Sequence, residues 1–124
     1  MVFSSHICQL AQEIKSLGID WQPHVGCFVW DPENTIEVDS PFPHRIYFIL
    51  SIPRFIDIFV SREAIVEKLV WLPTWHQARL LCQQLNVPDD DVTHIWQSQT
   101  SLSAGEELHK IYELIINALK KGQR

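Results

Sequence analysis

The stretch Val70-Trp71-Leu72-Pro73-Thr74-Trp75-His76-Gln77-Ala78-Arg79 gathers the side chains best suited to chemistry: two indoles, an imidazole and a guanidinium. On a helix, Trp75 and Arg79 are four positions apart, share a face and can stack as a cation over a ring. His76 falls in the first helical turn, where unpaired amides favour an anion. Trp71, Trp75, His76 and Arg79 are therefore the candidate ligand- or partner-binding set. If a pocket forms there, His76 supplies the acid–base group, Arg79 the anion anchor and the two indoles the walls, with Asp31 or His44 completing the site. The competing reading is structural, because large aromatics in a chain of this size usually belong to the core.

Other constellations are weaker. Asp90 and Asp91 precede His94 by four and three residues, so one helical face presents carboxylate and imidazole to a divalent ion. The same acidic run after Pro88 also reads as helix capping and dipole pairing, so no metal is expected and no cofactor is called for. Asp31, Glu33, Glu37 and Asp39 form an acidic set, but Glu37 and Asp39 alternate with apolar residues as a solvated strand face does. Cys27 has His24 nearby, yet an undistorted strand points them to opposite faces. Cys82 lies on an apolar helix face. Three well-separated cysteines in an odd number suggest reduced core thiols rather than a disulfide framework.

Several enzyme classes lose support. The sequence has no P-loop, no glycine-rich dinucleotide fingerprint, no H-E-x-x-H and no G-x-S-x-G. No residue set matches a catalytic signature. The formal charge is −5, with 15 acidic and 10 basic residues and no basic run, so no nucleic-acid partner is expected. Apolar runs are too short for a membrane span, and no leader pattern opens the chain, so a cytoplasmic location is expected.

The elements that must position these residues follow from periodicity. Ser4 or Ser5 caps a first helix with Ile7, Leu10, Ala11, Ile14 and Leu17 on one face, ended by Gly18. Val25 to Trp30 and Thr35 to Asp39 read as strands of a hairpin turned by Asp31-Pro32-Glu33-Asn34. Arg45 to Leu50 is nearly continuous in apolar residues and reads as a third, central strand. The segment 52–60 suits either a short helix after Ser51 or an alternating strand, with the helix favoured. Ser61 caps a further short turn, and Leu69 to Leu72 is a strand stopped by Pro73. Thr74 then caps a helix whose apolar face is Trp75, Ala78, Leu81, Cys82 and Leu85. Asp89 opens another. The last helix starts with a Ser103-x-x-Glu106 capping box and carries Leu108, Ile111, Tyr112, Ile115, Ile116 and Leu119 as a stripe.

Strands early and helices late imply an α+β fold. A small, mainly antiparallel sheet of about three to four strands packs with an N-terminal helix and several C-terminal helices as a single domain over residues 1–124. Five tryptophans in 124 residues exceed what a small interior easily holds. Aromatics and arginine are enriched at interface centres, so the sequence points to a non-enzymatic module that binds a protein partner or itself as a homo-oligomer through a Trp-rich surface.

Overall fold

In a computed structural model, residues 3–97 and 104–122 are described; the side chain of Trp96 and the expected cap Ser103 lie outside them. The fold is α+β. The elements in chain order are α1 (Ser5–Ser16), β1 (Phe28–Trp30), β2 (Ile46–Phe48), α2 (Ile52–Phe59), α3 (Arg62–Lys68), β3 (Val70–Leu72), α4 (Trp75–Gln84), α5 (Asp89–Gln97) and α6 (Ala104–Gly122). They divide into two compact units: residues 20–72, and a unit built from both ends of the chain, residues 1–19 and 73–124.

The two-ended unit is helical. Ser4, not Ser5, caps α1 by accepting from the Ile7 amide. Ile7, Cys8, Ala11 and Ile14 are buried on one face of α1. The facing stripe on α6 is Leu108, Ile111, Tyr112, Ile115 and Ile116, as the periodicity predicts. Lys120 reaches Glu13 at 3.1 Å on the rim of the α1–α6 contact. Thr74 and Gln77 close a capping box at the start of α4, each side chain bonding the other's amide. The buried Tyr112 hydroxyl donates to the Pro73 carbonyl at 2.6 Å, tying α6 to the entry of α4.

The 20–72 unit carries the sheet, in the order β2-β1-β3, antiparallel throughout. Two expectations are corrected. Segment 45–50 supplies an edge strand, and β1 is central. Thr35 to Asp39 is not a strand and forms no hairpin with β1. The reason lies in Asp31. Its fully buried carboxylate accepts from the amides of Thr35 (3.1 Å) and Ile36 (2.8 Å) and from Arg45 Nη2 (2.9 Å). The chain after β1 is thereby coiled about one side chain instead of turning back as a strand.

Residues 36–40 then lie as a strap against β2. Arg45 Nη2 donates to the Ile36 carbonyl and the Tyr47 hydroxyl to the Val38 carbonyl, the latter at 2.7 Å. The Asp31 amide bonds the Arg45 carbonyl, and the Ile49 amide bonds the Cys27 carbonyl. Arg45, Tyr47 and Ile49 thus turn their main chain toward β1, leaving that of Ile46 and Phe48 on the open edge. Ser40 Oγ donates to the Ile46 carbonyl there. The strap therefore satisfies part of an edge that would otherwise be free to pair with another chain.

Candidate functional site

The segment 70–79 is divided between the units. Trp71 sits in β3, half-buried, stacked on the buried Trp21 with ring centroids 6.0 Å apart and 10° between planes. Its indole N–H is buried and makes no hydrogen bond among the described residues. Trp75, His76 and Arg79 sit on α4 in the helical unit, the indole half-buried and the other two exposed. Arg79 lines a depression of about 230 Å³ with Cys82, Gln83, Asp89, Val92 and Thr93.

Asp90, Asp91 and His94 are exposed on α5, and no group of three His, Cys, Asp or Glu among the described residues is placed to hold a metal ion. No helix among them is long and apolar enough to cross a membrane. Of the acidic set, Asp31 is structural, whereas Glu33, Glu37 and Asp39 are exposed. His44 is exposed with φ of 62°.

His24 and Cys27 come together, against the alternation argument. The Cys27 amide bonds the His24 carbonyl, closing a turn with Gly26 at φ of 99° in its third position. The Gly26 amide donates to the Ile49 carbonyl while the Ile49 amide donates to the Cys27 carbonyl, so two residues oppose one. That is a bulge of the kind that needs a left-handed glycine, and it shifts the side-chain parity by one. His24 Nδ1 consequently lies 3.1 Å from Cys27 Sγ. Burial raises the Cys27 pKa and a hydrogen bond with the His24 backbone lowers it, with burial the larger effect. The sulfur is fully buried, so the pair is a covered thiol rather than an exposed nucleophile. Cys8 and Cys82 are likewise buried, with pKa values raised by desolvation to about 11.

No protein family, curated protein or solved structure matches this chain.

Two further clusters escape sequence reasoning because their members are distant in the chain. In the helical unit, the His6 and His109 rings stack at 4.7 Å, and His109 Nε2 meets Glu113 at 2.9 Å beside a groove of about 550 Å³. In the 20–72 unit, Phe28 and Phe48 face each other across the β1–β2 ladder at 4.8 Å. Phe42 meets Phe28 edge-on at 5.7 Å while remaining 37% exposed. Directly opposed strand residues share a face, so this aromatic cluster belongs to the face bearing Phe28 and Trp30, opposite that of Val29 and Tyr47. The usable signal was the phenylalanine at each of two strand positions. The register that pairs them was not readable.

Proposed function

We propose that this chain is a non-enzymatic interaction module whose contact surface lies on the 20–72 unit. The observation that carries the reading is the distribution of exposed apolar side chains. Among the described residues, six of the seven large exposed ones belong to that unit: Val25, Val38, Phe42, Leu50, Ile58 and Val60. Clustered apolar exposure rimmed by polar residues marks interaction surfaces, whereas scattered single residues are ordinary. Here Val25 and Leu50 are neighbours, since the Gly26 amide bonds the Ile49 carbonyl, and Phe42 extends the Phe28–Phe48 cluster outward. The surface is aliphatic and phenylalanine-based. None of the four tryptophans with described side chains is exposed, Trp21 being buried and Trp30, Trp71 and Trp75 half-buried.

The test is photocrosslinking in the producing cells, with p-benzoylphenylalanine incorporated in place of Phe42 or, as control, of exposed Gln12. A discrete protein adduct from position 42 and none from position 12 is expected. Equal yields, or none at position 42, overturn the reading.

A second reading, a small-ligand site at Trp71–Arg79, is favoured only by Arg79 lining the depression on α4 and α5. Its volume of about 230 Å³ lies below the range of roughly 300–1,000 Å³ usual for ligand pockets.

A further inference from the structure

We infer that residues 37–42, the strap and its continuation to Phe42, dock a basic partner segment, in which Lys or Arg side chains flank an apolar anchor. The inference rests on the interaction reading above and names the partner's chemistry. The strap is held before any partner arrives. Arg45, Tyr47 and Ser40 fix it through the carbonyls of Ile36, Val38 and Ile46, and the buried Ile36 side chain anchors its start. A segment ordered in advance loses little further entropy on binding.

What the strap presents is apolar. Val38 is 70% exposed and Phe42 37%, with the exposed Pro41 between Ser40 and Phe42. Folding does not account for an apolar residue at position 38, where the hydrogen bond to Tyr47 uses only the backbone carbonyl. Glu37 and Asp39 bracket Val38, both are exposed, and neither lies within ion-pair distance of a cation among the described residues, although Asp39 feels the Arg45 charge from further off. Glu33, one turn of chain earlier, already meets Lys68 at 3.8 Å.

Charge selects the occupant. A second copy would bring the same carboxylates against their like, and the chain as a whole carries −5. Nucleic acid and anionic lipid are repelled for the same reason. A segment with cationic residues beside an aliphatic or aromatic one satisfies both features of the strap: the cations meet Glu37 and Asp39 while the apolar group covers Val38 and Phe42.

The experiment is an amide NMR titration of the full chain with two synthetic peptides, one of alternating Leu and Lys and one of alternating Leu and Glu. The Lys peptide is expected to shift amides of residues 37–42 and to bind at least ten-fold more tightly than the Glu peptide. Glu37→Gln and Asp39→Asn should each weaken it by about two- to five-fold, as exposed ion pairs do. Raising the salt should weaken it further. Val38→Ser and Phe42→Ser should abolish it while leaving the amide dispersion of a folded protein. Equal binding of both peptides at residues 37–42 overturns the basic partner and leaves the interaction surface standing. Shifts that map elsewhere, or no shifts with either peptide, overturn the basic partner at the strap, while the interaction reading stands or falls with the crosslinking at position 42. A concentration-dependent dimer in light scattering that Val38→Ser disperses would make a second copy the occupant and overturn the inference.

Discussion

Val60 ends α2 with φ of 79° and ψ of −37°, its amide bonded to the Ile56 carbonyl at 2.6 Å. A β-branched residue in that region is strained by roughly 1–3 kcal/mol, and glycine is not. Val60 is 84% exposed, so its side chain contributes little packing in return. Val60→Gly is therefore expected to stabilise the 20–72 unit by about 1 kcal/mol despite glycine's greater freedom in the unfolded chain. An upward shift of the urea midpoint checks this, and an unchanged or lower midpoint would refute it.

The thiols supply a pH dependence. Cys8 and Cys82 are held protonated by burial, with pKa values raised from 9.0 to about 11. The unfolded chain releases these protons first. Their contribution is thus complete below pH 9, declines as pH rises from 9 to 11 and is gone above. It is on the order of 2 kcal/mol for each thiol. Denaturant melts across this window should show falling stability in the wild type. Cys8→Ala and Cys82→Ala, though less stable at neutral pH, should each flatten the slope.

At the scale of elements, helices were legible where their own residues decide them. Ser61 and Thr74 cap α3 and α4 through bonds that their spacing alone predicts, and α1 is capped by Ser4, one of the two serines left open by the sequence. The helix favoured over 52–60 forms as α2, with Pro53 in its first turn. The sheet was less legible. Thr35 to Asp39 alternates like a strand, but its partner bonds come from Asp31, Arg45 and Tyr47, and no periodicity reports a side chain's competition for the backbone. The His24–Cys27 contact was hidden for a related reason, since a single bulge at Gly26 reverses the parity on which alternation arguments depend. Of the candidate set, position in α4 was readable for Trp75, His76 and Arg79, but not the division of the segment between two units.

The Asp31 hub makes this testable. Asp31→Ala leaves the amides of Thr35 and Ile36 without their acceptor and the Arg45 guanidinium without its carboxylate. The Asp31 hydrogen bond is the chief cause that raises the Arg45 pKa. An amide left without its acceptor costs about 1–3 kcal/mol, and two amides lose theirs here, while the freed Arg45 charge still reaches water. The expected result is a loss of about 3 kcal/mol in urea unfolding, with amide exchange in residues 33–40 accelerated most. Loss confined to the helical unit would contradict the assignment.

Across the whole molecule, chain order and spatial grouping differ. Residues 20–72 are one continuous stretch, whereas the helical unit needs both termini: α1 comes from the first nineteen residues and α4 to α6 from beyond Leu72. Ile7, Cys8, Ala11 and Ile14 are buried on α1, and α1 and α6 are in contact. Burying a side chain the size of isoleucine stabilises by roughly 1.5–3 kcal/mol. Losing two of these, with Cys8 and Ala11 besides, removes an amount comparable to the total stability of roughly 5–15 kcal/mol of an ordinary domain. Exposed Ile111, Tyr112 and Ile115 would then face water. A chain beginning at residue 20 is thus expected to keep α4 to α6 in its sequence yet lose their cooperative melting, seen as a shallow, broad change in helical circular dichroism on heating. Adding a synthetic peptide of residues 1–19 should restore a sigmoidal transition. A truncated chain that melts as sharply as the full one would show that α6 finds its cover without α1.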